Sequence, residues 1–359
     1  MGFEVDFLPV GNGEKSGDAI ALRFGNLHGD RSEQHVVVID GGFKESGEKL
    51  VGHIQEYYDT RSVDLVISTH PDNDHASGLE VVLEELQIGE LWMHLPWNHT
   101  ADIANAFTSG RVTDNSIREH LRRSLDTARG LEAIAGRKGI PIVEPFAGVS
   151  AWGDVLTVLG PTEEFYEDLI PLFRGTPEAK LSSLLERALR GAAEIVKRVA
   201  ETWGNETLDD SGETSPENNT SVILQFRFNN RSLIFTGDAG ITALTLAADE
   251  LDRLGFSRAN LGFVQVPHHG SQRNVGPTIL DRLVGPKLSN EEKRMTAFVS
   301  VASGAAPKHP SKKVTNAFRR RGAPVHATNR NTKWYYDDAP PRSDYSASTP
   351  LPFYEEVEE

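Results

Sequence analysis

The chain contains no cysteine. That excludes a disulfide framework, a cysteine-based zinc site and a cysteine nucleophile, and it fits a reducing compartment, so a cytoplasmic location is expected. No apolar run approaches the length needed to span a bilayer, and no membrane partner is expected. Residues Met1 to Asp6 have neither the basic segment nor the apolar stretch of a secretion signal and read as a first strand. Positive charge is also short. Lys and Arg number 37 against 52 Asp and Glu, which leaves a net charge of -15. A broad basic face for duplex DNA is therefore not expected, although an enzyme that handles one phosphate at a metal site is not excluded. The basic clusters Arg122-Arg123, Lys312-Lys313 and Arg319-Arg320-Arg321 read as solvated helix faces.

What the chain does have is enough apolar residue, 38% of 359, for a substantial core. Apolar runs bounded by turn residues predict strands at 3–10, 18–25, 35–40, 64–68, 90–94, 154–159, 221–228, 232–236, 262–266 and 297–301. Helical periodicity predicts helices at 76–86, 116–138, 176–203, 240–254 and 310–321. The pattern is α/β, with one domain over residues 1–336 and a helical insertion over about 97–217. Residues 337–359 read as an acidic tail rich in Pro and Ser, partly disordered.

The most informative segment is Ser68-Thr69-His70-Pro71-Asp72-Asn73-Asp74-His75, which follows the apolar run Leu65-Val66-Ile67. Pro, Asn and Asp also make ordinary surface turns. Yet His70, Asp72, Asp74 and His75 are the carboxylates and imidazoles that Zn, Mn and Fe accept, and packed this closely they repel one another unless a cation lies between them. Three more segments deliver such groups from strand ends. Leu233 to Phe235 leads through Thr236 and Gly237 to Asp238. Val264-Gln265-Val266-Pro267 leads to His268 and His269. Val36 to Ile39 leads to Asp40, which either orients a ligand from behind or starts a turn.

In this order the segments resemble the metallo-β-lactamase superfamily, and most sharply its ComEC-like branch, the soluble hydrolase module of DNA-internalisation competence proteins. Phe7 to Gly13 with Gly17-Asp18-Ala19-Ile20 is similar to that branch's opening hairpin, Asn218-Asn219-Thr220-Ser221-Val222 to its NNxS strand, and Val266 to Ser271 to its VPHHGS segment. Ser300 to Ser303, Lys308-His309-Pro310 and Gly322 to Val325 resemble its closing region. The resemblance implies a four-layer αβ/βα sandwich holding two divalent metal ions, Zn or Mn. It implies His70, Asp72, Asp74, His75, Asp238 and His269 as metal ligands, with Asp238 bridging. Asp72 stands where most relatives carry a second His, which tilts preference toward Mn. The His that relatives place ahead of the bridging Asp is missing, and Asn218 and Asn219 occupy that region.

On this reading a hydroxide activated by the ions attacks a phosphodiester. His268 and His309 are candidate proton donors to the leaving group, Asp74 is a catalytic as well as a ligating carboxylate, and Asn218, Asn219, Lys308 and Asp18 are candidate substrate contacts. The expected activity is a nuclease or nucleotide phosphodiesterase with a nucleic acid or nucleotide as substrate. A regulatory protein partner through the helical insertion, as in an effector subunit of a bacterial defence system, is a further expectation. Two alternatives stand beside it. One is a phosphorylcholine-type or other small-ester hydrolase, for which Trp92, Trp97, Trp152 and Trp203 are available as an aromatic cage. The other is a catalytically inactive binding module stabilised by metal.

Overall fold

The computed structural model describes residues 1–11, 15–179, 198–303 and 309–358. The first sheet is built from β1 (Gly2–Phe7), β2 (Ala19–Gly25), β3 (Gln34–Gly41), β4 (Ser62–Ile67), β5 (Gln87–Trp92), β6 (Ile142–Val143) and β15 (Lys333–Asp337), in the spatial order β15-β1-β2-β3-β4-β5-β6. The second contains β7 (Ser150–Ala151), β8 (Leu156–Gly160), β10 (Ile223–Phe228), β11 (Arg231–Phe235), β12 (Leu261–Gln265), β13 (Thr296–Val299) and β14 (Val325–Ala327), in the order β14-β13-β12-β11-β10-β8-β7. A small antiparallel pair joins β9 (Arg198–Ala200) to β16 (Glu356–Glu358).

Strand alternation decides the layering. In β3, Val37 and Ile39 face the second sheet, while Val36 and Val38 face outward. In β11, Leu233 and Phe235 point inward and Ile234 outward. Aromatic rings fill the space between the sheets: Phe7 lies 6.4 Å from Phe235, 5.6 Å from Phe263 and 5.5 Å from Phe298. The outer face of the first sheet is covered by α1 (Lys44–Tyr57), α2 (Asn73–Glu85), α3 (Asp114–Ser124) and α4 (Asp126–Lys138). That of the second is covered by α7 (Ile241–Arg253), α8 (Pro277–Leu283) and α9 (Lys312–Arg320). Shorter helices are α5 (Glu163–Leu169) and α6 (Pro216–Asn219). The result is the αβ/βα sandwich. No helix among the described residues is long and apolar enough to cross a membrane.

Two features place polar groups at one edge. β3, β4 and β5 run parallel, as do β11, β12 and β13, so the loops leaving their carboxyl ends emerge together. The start of α2 also sits directly on the end of β3. A Cβ on Gly78 would fall 1.9 Å from the Gly41 carbonyl oxygen, and one on Gly47 would fall 2.2 Å from that of Gly78. Only glycine allows this approach.

Several expectations are corrected. The helix expected over 116–138 is two, broken at Leu125, whose ψ of 57° leaves the helical region. Most of the helix expected over 176–203 lies outside the described residues, and its last part is β9, whose partner is far along the chain. The strand expected at 154–159, inside the segment 97–217, is β8, an integral strand of the second sheet. The tail is fastened down. Arg342 donates to Asp6 Oδ1 at 2.7 Å and Glu4 Oε2 at 2.6 Å, beneath Tyr57 and Trp334. Arg320 and Arg321 are not solvated either; they are buried against Glu201, Glu206 and Asp281. Helix α1 gave little signal because its few apolar residues, Leu50, Val51 and Ile54, are spread among Gly and charged residues.

Candidate metal centre

Asp238 is the centre of the polar cluster. It follows β11 through Gly237, which has φ +49° and lies against Thr69 and Ser221. Its backbone N–H donates to Ser221 Oγ at 3.1 Å. Four imidazoles present Nε2 to its carboxylate, two to each oxygen. His75 and His269 face Oδ1 at 3.3 and 3.8 Å, while His70 and His268 face Oδ2 at 3.8 and 3.6 Å. Nε2 of His70, His75 and His269, and Oδ1 of Asp238, are buried without a hydrogen-bond partner among the described residues.

The other nitrogen of each ring has an acceptor. His75 Nδ1 lies 2.7 Å from Asp40 Oδ2, His269 Nδ1 3.0 Å from the Ser300 carbonyl oxygen, and His268 Nδ1 2.9 Å from Asn274 Oδ1. His70 Nδ1 lies 3.0 Å from Thr69 Oγ1, whose own hydroxyl donates to Asp40 at 2.6 Å. Hydrogens held at Nδ1 leave Nε2 with a free lone pair on the Asp238 side. Two ligand atoms each about 2.1 Å from an ion, at a tetrahedral angle, are about 3.4 Å apart. The spacings around Asp238 therefore suit a cation between imidazole and carboxylate better than a hydrogen bond. The residues present fit divalent metal.

The remaining residues named from the sequence fall unevenly. Asp74, in the first turn of α2, has a carboxylate oxygen within 4.8 Å of ligand atoms of His75 and His269. Asp18 is similarly close to Asp238 and His269, and its Oδ2 accepts from Gln265 at 2.8 Å. Asp40, His70 and His75 also cluster within that distance, but Asp40 is already committed to Thr69 and His75 and acts from behind the ligands. Asp72 is turned toward Arg174, which donates to its Oδ1. Asn219 Oδ1 accepts from Gly240 N–H, and Asn218 Nδ2 donates to Thr214 Oγ1 at 2.9 Å, so both amides are engaged within the protein. His309 packs near His268, with ring centroids 6.2 Å apart. Lys308 lies outside the described residues. The four tryptophans offered as a cage do not meet: Trp92 is in the core between the sheets, Trp97 under the outer helices, Trp152 on Phe24 and Trp203 on Phe353.

Sequence reasoning missed Thr69, Asn274 and Arg174. Thr69 and Asn274 are adjacent to recognised motifs, but only the fold shows what they hold. Arg174 comes from the long insertion; its backbone N–H and Nε also donate to the buried Glu217, at 2.7 and 3.0 Å.

The electrostatics follow from these contacts. Burial opposes the charge on Asp238, but His268, His75 and His269 outweigh it and hold its pKa well below the usual range. Burial likewise opposes charge on His75, but Asp238 and Asp40 outweigh it and raise its pKa well above normal. Burial then keeps His70 low and pushes His269 down to about 3. Burial drives Asp18 up to about 7. In the ion-free protein one proton on His75 thus does part of what a cation would do.

Residues 31–158 match the model of the Metallo-beta-lactamase superfamily, a stretch that includes Asp40, His70, Asp74 and His75. That stretch carries the superfamily's domain signature, and the rest of the chain lies outside the match. Asp238 and His269 of the cluster come from the second sheet, beyond the matched stretch. Among solved structures, the chain is similar to a metal-dependent hydrolase of the beta-lactamase superfamily, Tm1679, at 14% identity over 94% of this chain and 99% of that one, TM-score 0.42. It is also similar to a diphosphatase of the PhnP family at 8% identity over 94% and 98%, TM-score 0.38. A third is the metallo-beta-lactamase SMB-1, at 12% identity over 78% and 86%, TM-score 0.28. Nothing about this chain's substrate follows from likeness this distant. No curated protein matches the chain.

Asp40 has a testable role here. Asp40→Asn is expected to weaken metal binding about 10- to 100-fold by freeing His75 to rotate or change tautomer. Calorimetric titration with Mn or Zn checks this; unchanged affinity would show that Asp40 only supports the turn.

Proposed function

We propose that the protein is a metal-dependent hydrolase of phosphodiesters, acting on a nucleic acid or nucleotide. The observation that carries the metal dependence is the set of four imidazole Nε2 atoms divided between the two oxygens of Asp238. When bound, divalent ions would supply Lewis acidity and water of lowered pKa. The chain's own groups would do the rest. Asp238, His70, His75, His269 and Asp74 would hold the ions, with Asp40, Thr69 and Ser300 fixing the imidazole rings. Asp74, partly exposed at the start of α2, would take a proton from the attacking water. His309, whose ring lies 6.2 Å from that of His268, would return one to the leaving oxygen.

The phosphodiester reading is supported by Arg174. Its side chain is 68% exposed beside Asp72 and offers a cation at the edge of the cluster, suited to a phosphate oxygen. The choline-type reading loses its aromatic cage, because the tryptophans are scattered. Arg174→Gln is expected to raise KM for a phosphodiester about tenfold, one charged hydrogen bond's worth, with kcat and metal content little changed. Steady-state kinetics of that variant would decide it; a loss confined to kcat would remove Arg174 from substrate binding. The proposal as a whole is tested with the full chain and Mn or Zn on single- and double-stranded DNA, RNA, cyclic nucleotides and bis-p-nitrophenyl phosphate. Turnover of at least one is expected. Ion-loaded protein that cleaves none would refute it.

A further inference from the structure

The two oxygens of Asp238 are unequally provided for by the residues recognised as ligands. On the Oδ1 side stand His75, His269 and Asp74. On the Oδ2 side stands His70, with Asp72 drawn off to Arg174. We infer that His268 is the missing imidazole ligand of the Oδ2 side, not a proton donor. The inference rests on the metal-dependent reading above and deepens it.

Three observations carry it. His268 Nε2 lies 3.6 Å from Asp238 Oδ2, the same oxygen that His70 faces at 3.8 Å. Its tautomer is fixed from the other side. Asn274 is fully buried, and its Nδ2 donates to the carbonyl oxygens of Asp238 at 2.8 Å and Ala239 at 3.3 Å. The amide cannot turn over without losing both bonds, so Oδ1 faces His268 Nδ1 at 2.9 Å and takes its proton. Asn218 Nδ2 lies 3.2 Å from the same nitrogen. Its other partner, the Thr214 hydroxyl, can donate or accept, so Asn218 is free to turn its oxygen to that proton. A ring that keeps a hydrogen at Nδ1 can offer its Nε2 lone pair to a cation on the Asp238 side, and an Nε2 bound to a cation is not a proton donor. Finally, the backbone is shaped to present both rings. His268 and His269 have φ of +45° and +55°, and Gly270 follows at +81°. Left-handed backbone at two consecutive histidines is strained. Here it sends one imidazole to each oxygen of Asp238.

The test is metal stoichiometry and affinity, measured by calorimetry and elemental analysis on chelator-stripped full-length protein titrated with Mn or Zn. Wild type is expected to bind two ions. His268→Ala is expected to keep one at wild-type affinity and to bind the second at least 10-fold more weakly. His268→Asp, which puts a carboxylate ligand in place of the imidazole, is expected to recover the second ion with Mn. Circular dichroism and melting of the ion-free variants establish that they are folded, and His268→Asp decides the matter if His268→Ala is not. A folded His268→Ala that binds two ions with both affinities unchanged would overturn the inference and leave the hydrolase reading standing. Wild type that binds no ion would overturn the hydrolase reading itself, and this inference with it.

Discussion

Asp238→Ala is expected to strip both ions and to lower turnover by roughly three orders of magnitude or more, because the several kcal/mol that such ions contribute at a transition state are lost together. The reason is geometric. Four imidazoles converge on this one carboxylate, two on each oxygen, so it is poised to touch both positions. A ligand on one side alone, such as His269 or Asp74, should lose one ion and spare the other. Asp238→Asn keeps the volume and serves as the control, since an amide is a poor bridge. Metal content after gel filtration, measured beside turnover, checks the expectation. An Asp238→Ala protein that retained two ions would place the bridge elsewhere.

A second large effect is expected without metal. Ion-free protein should lose stability as pH rises from about 4 to about 7, and Asp18→Asn should abolish much of that loss. Asp18 is fully buried, and burial raises its pKa from 3.8 to about 7. A carboxyl whose pKa is raised by folding contributes its full stability below 3.8 and loses it as pH climbs through the folded value. The gap corresponds to a ceiling of about 4 kcal/mol at about 1.4 kcal/mol per pKa unit. His75, raised well above its usual value, acts in the same direction: its contribution is complete below 6.5 and lost at higher pH. Asp238 has the opposite sign, but its lowered pKa acts only below about 4. Cations replace the lost protons, so added Mn or Zn should raise Tm more at pH 8 than at pH 6. Melting curves of wild type and Asp18→Asn, with and without metal, test both statements. A metal-induced rise larger at pH 6 would contradict this account of the cluster.

Local pattern in the sequence reached ten of the fourteen strands of the two sheets and the motif residues at their ends, and it did not show β6, β7, β14 or β15. Runs such as Val36 to Ile39 and Leu233 to Phe235 fit a strand covered on both faces, and the turn residues after them mark where polar groups emerge. What did not show was anything that depends on partners far along the chain. β9 exists only because Glu356 to Glu358 lie beside it. The tail reads as disordered by composition, yet Arg342 satisfies two carboxylates buried in β1. Arg320 and Arg321 look solvated on α9 until Glu201 and Glu206, more than a hundred residues earlier, are brought against them.

The candidate site divides the same way. The sequence by itself determined the candidate donors: His70, Asp74, His75, Asp238 and His269 carry imidazole or carboxylate atoms, and the strand-turn pattern places each at an element's end. Only the tertiary structure decided which way each donor points. A side chain's role here depends on which ring nitrogen finds an acceptor and which carboxylate finds a cation. Asn274, Thr69 and Ser300 settle the first for the imidazoles, and Arg174 settles the second for Asp72. Those are through-space contacts between distant segments, so no local pattern encodes them.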